Sequence, residues 1–317
     1  MGVLDGRVAI ITGAGRGIGR EHALRFGREG AAVVLNDRDE DVVARVASEV
    51  NAAGGRARAS SGDVSSFSYS NDLVEMAVDV FGQLDVLVNN AGILRVDRFE
   101  NMSEQHWDDV VDVNLKGTFC PSRAAVGYWT RERERLAVTR PAIVNTSSGA
   151  GLLGMYGHAA YAAAKAAVAG FTLSLAQELD GIRVNAVAPA ARSRLSDHNP
   201  MVVETFAAPT SPTEFDRWHP RHVSALVAYL ASEHCAITGE VFGVHGGAIT
   251  RYEGWHLDQV LSTDRDWTMD ELIAGVPALI PMPNTDLANE AYVAMRRRGN
   301  EGMRKLLTDE REARDRS

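Results

Sequence analysis

Short apolar runs alternate with longer amphipathic segments from residue 7 to about residue 248. The runs have the length and β-branched content of buried strands, and the segments between them are long enough for helices. Strands that are apolar along their whole length are typical of a parallel sheet covered by helices on both faces. The pattern predicts a single doubly wound α/β domain with a seven-stranded parallel sheet. The predicted strands are Val8–Ile11, Ala32–Leu35, Arg56–Ala59, Leu84–Val88, Ala142–Asn145, Val184–Val187 and Glu240–Val244.

Two regions interrupt this alternation. Residues 190–221 contain four of the ten prolines and have no clear periodicity. They follow the sixth predicted strand, and open α/β sheets bind ligands beyond the carboxyl ends of their strands. We therefore interpret residues 190–221 as a lid over a substrate, with an inert surface excursion as the alternative. Residues 251–317 form the second region, which we interpret as a helical C-terminal extension to a domain of residues 1–250.

The extension is predicted to contain two helices. Thr268 and Glu271 have the spacing of a capping box, in which each residue bonds the backbone of the other at a helix start. Residues 288–307 predict the second helix, which leads into a charged end of the chain.

The net charge and the cysteine content restrict the possible partners. The chain of 317 residues carries a formal net charge of −9, which disfavours nucleic acid and anionic membrane surfaces. No apolar run approaches the roughly 20 residues of a membrane span. The two cysteines lie far apart and lack metal-site spacing, as do the histidines. We therefore expect a cytoplasmic protein with reduced thiols, no metal and a small-molecule substrate.

A tyrosine and a lysine four residues apart are the first candidates for chemistry. Tyr161 and Lys165 lie in an alanine-rich run with high helix propensity, so both side chains would face the same way. An ammonium near a phenol favours the phenolate, so we expect Lys165 to lower the pKa of Tyr161 towards neutral. Ser148 lies thirteen positions upstream, after a predicted strand. The tyrosine–lysine spacing alone also occurs by chance on surface helices.

A glycine-rich segment follows the first predicted strand and precedes a helix. Its Gly13, Gly17 and Gly19 would let a pyrophosphate approach the backbone at the helix N-terminus. Asp37 ends the second strand, where a carboxylate can accept hydrogen bonds from ribose hydroxyls and repel a 2′-phosphate. These residues predict a dinucleotide site that prefers NAD. Arg38 leaves NADP open, because its guanidinium could bind the 2′-phosphate.

Taken together, these motifs resemble the short-chain dehydrogenase/reductase family over roughly residues 5–250. The order along the chain is that of the family: the loop from Thr12 to Gly19, then Asp63-Val64, Asn89-Asn90-Ala91-Gly92, Asn114, Ser148, and Tyr161 with Lys165. The resemblance implies a Rossmann fold and a nicotinamide cofactor. The residues that it implies for cofactor binding are Gly13, Arg16, Gly17, Ile18, Gly19, Asp37, Asp63, Val64, Asn90, Ala91, Gly92, Tyr161, Lys165 and Pro189.

The resemblance also implies catalytic roles for Asn114, Ser148, Tyr161 and Lys165. Tyr161, as phenolate, would take the proton of a substrate hydroxyl while hydride passes to the nicotinamide. Ser148 would stabilise charge that develops on the substrate oxygen. Lys165 would lower the pKa of the tyrosine and hold the nicotinamide ribose. Asn114 would position a water that links Lys165 to solvent.

Departures from the family pattern point to one branch. Arg194 replaces a threonine that often contacts the carboxamide, and Ser193 could substitute for that threonine. Residues 185–194, the Asn36-Asp37 strand end and the long tail resemble the (3R)-hydroxyacyl-CoA dehydrogenase domain of peroxisomal multifunctional enzyme type 2 and its stand-alone bacterial relatives. This branch implies a 3-hydroxyacyl-CoA substrate in fatty-acid or steroid side-chain β-oxidation. The alternatives are a steroid or terpenoid alcohol, a 3-oxoacyl-carrier-protein and a non-catalytic NAD-binding role.

Two further expectations concern the substrate and the assembly. Cations around the predicted lid would suit the phosphates of CoA, with a solvated basic rim as the alternative. These cations are Arg192, Arg194, Arg217, Arg221 and Arg251. The family resemblance implies a homodimer or homotetramer that pairs through residues 103–131 and 156–179. The sequence leaves the choice between dimer and tetramer open.

Overall fold

A parallel sheet forms the framework of the protein. The computed structural model describes residues 2–132, 140–193, 200–211, 213–255, 260–279, 300–305, 307 and 308. The strands are β1 (Val8–Ile11), β2 (Ala32–Asp37), β3 (Arg56–Ser61), β4 (Val86–Asn89), β5 (Ala142–Thr146), β6 (Arg183–Pro189), β7 (Val241–His245) and β8 (Ala248–Tyr252). The helices are α1 (Gly17–Arg28), α2 (Glu40–Ala52), α3 (Phe67–Phe81), α4 (Glu104–Val111), α5 (Gly117–Arg131), α6 (Gly149–Leu153), α7 (Ala159–Glu178), α8 (Pro200–Thr205), α9 (Arg221–Ala231) and α10 (Met269–Gly275).

The strand order is β3-β2-β1-β4-β5-β6-β7-β8, and neighbouring strands from β3 to β7 run parallel. β1 has β2 on one side and β4 on the other, so the chain reverses its direction of travel across the sheet at this point. Open α/β sheets bind ligands in the crevice that such a reversal creates at the carboxyl ends of the strands. The topology confirms the predicted doubly wound Rossmann class.

The predicted strand count was wrong by one. β8 pairs antiparallel with β7 and adds an eighth strand at the sheet edge. Gly246 and Gly247 connect the two strands, and the φ of 52° at Gly246 suits a tight hairpin turn. Residues of β8 alternate between exposed and partly buried positions, so the strand lacks the continuous apolar run on which the prediction relied.

Two hydrophobic clusters cover the two faces of the sheet. The first contains side chains of α1, α2 and α9, including Phe26 and Leu230. The second contains side chains of α3 and α5, including Leu73 and Trp129, together with partly buried residues of α7. The indole N–H of Trp129 donates to the carbonyl oxygen of Leu84 at 2.6 Å, which fixes α5 to the sheet.

Helix α7 corrects one sequence expectation. It is long and apolar enough to cross a membrane by length and composition, although no apolar run was expected to approach that length. Lys165 interrupts the apolar sequence, but its side chain is only 3% exposed because the face of α7 that carries it packs against the protein interior. Contacts of α7 with α6 and β6 account for the apolar side chains on this face. We therefore assign α7 to the fold of the domain.

The first helix predicted in the C-terminal extension is present, whereas the predicted boundary at residue 250 falls inside β8. Thr268 accepts a hydrogen bond from the backbone N–H of Glu271, and the Glu271 carboxylate accepts one from Thr268, so the capping box is confirmed at the start of α10. The second predicted helix, over residues 288–307, lies largely outside the described residues. Residues 300–305 are helical, and Met303 and Leu307 are buried against the rest of the protein.

Candidate active site

The glycine-rich loop after β1 is held from two neighbouring strands. The backbone N–H of Gly15 donates to Asp37 Oδ2 at 3.0 Å, which ties the loop to the end of β2. The Asn90 side chain donates to the carbonyl oxygens of Thr12 and Gly13 at 3.0 and 3.1 Å, which ties the loop to the end of β4. A Cβ atom on Gly19 would overlap the Gly13 carbonyl oxygen, so only glycine allows this close turn.

The loop leads into a helix whose N-terminus is free of side-chain caps. Arg16 occupies the N-cap position of α1 and makes no side-chain capping bond among the described residues. By contrast, Asp39, Ser66 and Ser103 each accept a backbone N–H at the starts of α2, α3 and α4. The first N–H groups of α1 therefore remain available for a phosphate, as a dinucleotide requires.

Acidic residues surround the expected ribose position. The Asp37 carboxylate faces Gly15 at the mouth of the loop. Asp39 forms an ion pair with Arg16 at 2.6 Å, and both side chains are about half-exposed. Arg16 holds the pKa of Asp39 below its usual value through the hydrogen bond between them. These groups fit a cofactor with free ribose hydroxyls.

Asp63 and Val64, for which the family resemblance implies an adenine contact, follow the end of β3. Burial opposes ionisation of Asp63, but hydrogen bonds from Ser65 and the positive charge of Arg38 hold its pKa below the usual value. Val64 is buried against Gly117 at the start of α5. The charge of Arg38 therefore acts on Asp63, beside the predicted adenine position.

Ser148, Tyr161 and Lys165 meet at the carboxyl end of β5. Ser148 caps α6, and its hydroxyl lies close to the phenol of Tyr161 on α7. The Lys165 ammonium lies 5.8 Å from the centre of the Tyr161 ring and donates to the Thr146 carbonyl oxygen at 2.8 Å. The structure thus brings together the three residues that the spacing predicted.

The predicted direction of the tyrosine pKa was wrong. Burial raises the pKa of Tyr161, and the hydrogen bond with Ser148 only partly opposes that rise. Burial lowers the pKa of Lys165 to about 8. Desolvation disfavours the charged form of each group, and the lysine ammonium bonds Thr146 rather than the phenol. The site therefore favours a protonated tyrosine.

Asn114 lies in a π-helical turn, Asp112–Lys116, between α4 and α5. Residues 103–131, which the resemblance assigns to subunit pairing, do not form one continuous α-helix, because the Asn114 amide donates to the carbonyl oxygens of Val110 and Ile93 at 2.8 and 2.9 Å. Asn114 Oδ1 is buried without a hydrogen-bond donor among the described residues. A Cβ atom on Gly92 would lie 2.7 Å from this oxygen and 3.5 Å from Lys165 Nζ, so both atoms face the same small space.

The start of the predicted lid lies beside the cofactor loop. Pro189 ends β6, and the N–H of Ala190 donates to the carbonyl oxygen of Val244 at 3.0 Å. The Ser193 Cβ lies 3.6 Å from where a Cβ on Gly17 would be. Ser193 therefore reaches the loop, as its predicted substitution for the family threonine requires. Arg194 lies outside the described residues.

An arginine forms several hydrogen bonds within the described part of the predicted lid. Arg192 donates to both carboxylate oxygens of Asp216, at 2.5 and 3.3 Å, and to the carbonyl oxygen of Phe206 at 2.7 Å. The Phe206 and Trp218 rings stack with centres 4.5 Å apart. Arg192 is therefore engaged within the protein, as is Arg251 by its ion pair with Glu240. The expectation that both would bind CoA phosphates loses support.

The sequence profile of the short chain dehydrogenase family matches residues 7–198. The chain belongs to this family. It is an oxidoreductase that acts on CH–OH groups and uses NAD(P), the cofactor type of short-chain dehydrogenases.

Two relatives and one solved structure are similar to this short-chain dehydrogenase. It is 40% identical over 285 residues to a hydroxyacyl-CoA dehydrogenase of Mycobacterium tuberculosis, which covers 86% of this chain and 87% of the relative. It is 36% identical over 256 residues to peroxisomal multifunctional enzyme type 2 of Mus musculus, covering 77% of this chain and 32% of that longer protein. A crystal structure of a short chain dehydrogenase from Mycobacterium avium has a TM-score of 0.79 and 43% identity, covering 88% of this chain and 96% of that chain.

The ion pair of Asp39 and the contacts of residues 300–305, 307 and 308 were not predicted from the sequence of this short-chain dehydrogenase. Asp39 lies two positions after Asp37 and begins α2, so its sequence position already indicated a cap. Its ion pair with Arg16 connects two separate loops, so no local sequence pattern indicates this ion pair. The contacts of residues 300–308 with Tyr156 and Gly157 join parts of the chain that are far apart in sequence.

Proposed function

We propose that this short-chain dehydrogenase oxidises the hydroxyl of a 3-hydroxyacyl-CoA with NAD, in fatty-acid or steroid side-chain β-oxidation. The main support is the arrangement of Ser148, Tyr161 and Lys165 at the carboxyl end of β5, in a chain that is 40% identical to a hydroxyacyl-CoA dehydrogenase over 86% of its length. In this proposal the fold and the cofactor loop hold the cofactor, and these three residues transfer the proton.

The proposed mechanism gives each catalytic residue one task. Bound NAD supplies the hydride acceptor. Ser148 donates a hydrogen bond to the substrate oxygen and keeps it beside Tyr161. The Tyr161 phenolate accepts the hydroxyl proton, and the positive charge of Lys165 stabilises that phenolate. Asn114 Oδ1, which faces the same space as Lys165 Nζ, accepts a hydrogen bond on the proton path to solvent.

The preference for NAD rests on the charges around the ribose position. Asp37 opposes a 2′-phosphate by charge. Arg16, a cation that could attract that phosphate, is paired with Asp39 at 2.6 Å. Arg38 lies near Asp63 and lowers its pKa. We therefore infer a higher kcat/KM with NAD than with NADP; the opposite order in a direct comparison would overturn the choice of NAD.

The CoA portion of the substrate would find two exposed cations beside the lid. Arg217 and Arg221 are both exposed at the end of the lid, whereas Arg192 and Arg251 form ion pairs. The phosphates of CoA favour guanidinium groups because these donate paired hydrogen bonds. This arrangement supports an acyl-CoA over a free steroid or terpenoid alcohol.

A substrate comparison with a base variant tests the proposal. The wild-type enzyme should oxidise 3-hydroxyacyl-CoAs with NAD far faster than the free 3-hydroxy acids, steroid alcohols or terpenoid alcohols. Tyr161→Phe should lower kcat by about a hundredfold or more, because it removes the proton acceptor. The dissociation constant for NAD, measured by fluorescence, should stay unchanged.

Tyr229→Phe is the matched control for the base variant. Tyr229 is 43% exposed on α9, away from the catalytic residues, so its loss of a hydroxyl should leave kcat unchanged. Equal rates on CoA thioesters and free alcohols would reject the acyl-CoA substrate. Efficient reduction of a 3-oxoacyl-carrier-protein with NADPH, without oxidation of hydroxyacyl-CoAs by NAD, would favour the reductase alternative.

We also propose that the enzyme assembles as a homodimer or homotetramer. Phe67, Phe119 and Leu173, on α3, α5 and α7, are 52%, 42% and 40% exposed. The Phe119 ring lies 6.3 Å from that of Phe67 and 6.4 Å from that of Phe171, so the aromatic side chains form a continuous patch. Burial of such a patch in a second copy would remove apolar surface from water.

A further inference from the structure

The connection between the two catalytic helices is short and held on both sides. It starts after α6, which begins at Ser148, and ends at His158, directly before the helix of Tyr161. On one side, the backbone N–H of Asp97 donates to the carbonyl oxygen of Gly157 at 3.1 Å. Residues 154–158, here called the catalytic connection, therefore set the relative position of Ser148 and Tyr161.

The other side of the catalytic connection is held by the C-terminal segment (residues 300–305, 307 and 308). Asn300 Oδ1 accepts a hydrogen bond from the backbone N–H of Tyr156 at 3.0 Å. The Arg304 guanidinium lies 5.3 Å from the centre of the Tyr156 ring, within cation–π range. The C-terminal segment thus contacts both the backbone and the ring of Tyr156.

Apolar side chains complete the same contact. Met303 and Leu307 are 2% and 7% exposed. A Cβ atom on Gly157 would lie 3.0 Å from Leu307 Cδ1 and 3.3 Å from Met303 Cγ, so both side chains pack closely on this glycine. Gly157 has a φ of 74°, which other residues adopt at a cost, so the connection keeps an unusual backbone shape at the point where the C-terminal segment meets it.

The contact continues to the catalytic tyrosine. The His158 ring nitrogen Nδ1 is hydrogen-bonded to the Tyr156 carbonyl oxygen at 2.8 Å. The His158 ring packs edge-on against Tyr161 with centres 6.3 Å apart, and the His158 carbonyl oxygen accepts the N–H of Ala162 at 2.7 Å. Tyr156 therefore links the C-terminal segment to the first turn of α7.

We propose that the C-terminal segment is a positioning element of the active site, with Asn300 and Met303 as its main residues. It keeps the catalytic connection in the conformation that places Ser148 and Tyr161 for the substrate oxygen. The inference rests on the proposed alcohol oxidation for its kinetic consequence. Its structural consequence, an ordered catalytic connection, is independent of any substrate.

Amide hydrogen exchange tests the structural consequence on the full chain. In the wild-type enzyme the amides of Tyr156 and Asp97 should exchange slowly, because each donates to a partner in this contact. Asn300→Ala and Met303→Ala should each speed exchange at residues 154–158 by tenfold or more. Lys305→Ala, an exposed change in the same turn, should leave the exchange rates unchanged. Equal exchange in all four proteins would overturn the proposal.

Steady-state kinetics test the functional consequence. Asn300→Ala and Met303→Ala should lower kcat/KM for the hydroxyacyl-CoA by about tenfold to a hundredfold, mainly through kcat, because misplacement of a reacting group weakens its contacts in the transition state. KM for NAD should change less than twofold, which separates loss of positioning from general unfolding. Faster exchange with unchanged kinetics would also overturn the proposal. If the wild-type enzyme oxidises no hydroxyacyl-CoA, the proposed function fails, and the exchange experiment still decides the structural part.

Discussion

At the scale of single residues, the charge state of Tyr161 determines the direction in which the enzyme works best. Burial raises the pKa of its phenol, so the proton acceptor for oxidation is scarce at neutral pH. We expect kcat/KM for alcohol oxidation to rise with pH from about pH 6 to about pH 10, whereas kcat/KM for ketone reduction should stay level because the phenol remains protonated over this range. The pH dependence of kcat/KM, measured for oxidation and for reduction, tests this prediction. A kcat/KM for oxidation that does not change with pH would contradict it.

Asp39 offers a second prediction for single residues. Asp39→Ser keeps an N-cap side chain for α2 but removes the charge that pairs with Arg16. The released guanidinium should attract the 2′-phosphate, so kcat/KM with NADP should rise by roughly fivefold to tenfold. Steady-state kinetics with both cofactors measure the ratio.

Two controls separate this effect from a general change of charge. Asp41→Ser removes an exposed carboxylate from the first turn of the same helix and should leave the cofactor ratio unchanged. Arg16→Ala combined with Asp39→Ser should cancel the gain with NADP. A gain that persists without Arg16 would assign the effect to another cation.

Residue types and spacing predicted which side chains meet at the site, but not their electrostatics. Ser148, Tyr161 and Lys165 come together because a strand end and one helix face define their positions. The pKa of Tyr161 depends instead on how much of the surrounding protein excludes water, and several elements contribute to that. The pair of Arg16 and Asp39 likewise depends on how two loops approach one another.

At the scale of elements, the aromatic patch on α3, α5 and α7 carries a prediction about assembly. Phe119→Glu places a charge at the centre of the patch, between Phe67 and Phe171. Burying this charge without a partner is unfavourable, so the variant should dissociate to monomers. Light scattering after gel filtration measures the mass. Tyr229→Glu, an equally exposed change on α9, should keep the wild-type mass; a monomeric wild-type enzyme would reject the assembly.

The strands and helices also show where the periodicity of apolar residues is enough to predict an element and where it is not. The parallel strands were predicted because burial on both faces gives continuous apolar runs, as in β1 and β4. β8 has only one partly covered face, so its short alternating sequence resembles a loop. Periodicity alone does not indicate the π-helical turn at Asn114, because the turn depends on side-chain bonds to Val110 and Ile93 rather than on helix propensity.

At the scale of the whole molecule, His22 makes the fold sensitive to acid. His22 is fully buried between α1 and α9, where Nδ1 is hydrogen-bonded to Ser224 Oγ at 2.9 Å. Burial lowers its pKa to about 3, from the usual histidine value of 6.5. Between pH 6.5 and pH 3 the imidazole is protonated in the unfolded chain but neutral in the folded protein. The free energy of unfolding is therefore highest above pH 6.5 and decreases as the pH falls towards 3.

The size of this effect can be measured. At pH 5 His22 should remove about 2 kcal/mol from the free energy of unfolding relative to neutral pH. Urea unfolding at both pH values gives that difference. In His22→Asn it should shrink, whereas His234→Gln, which changes an exposed histidine, should keep it. An unchanged difference in His22→Asn would show that other groups control acid stability.

The two hydrophobic clusters on opposite faces of the sheet have a consequence for variation among related enzymes. Helix α1, which follows the cofactor loop, and helix α2, which Asp39 caps, pack into one cluster, whereas α7, which carries Tyr161 and Lys165, packs with α3 and α5 into the other. The central strands separate the clusters, so a substitution in one leaves the packing of the other largely intact. Cofactor preference and turnover can therefore diverge independently, and a lineage can exchange NAD for NADP without rebuilding the residues that move the proton.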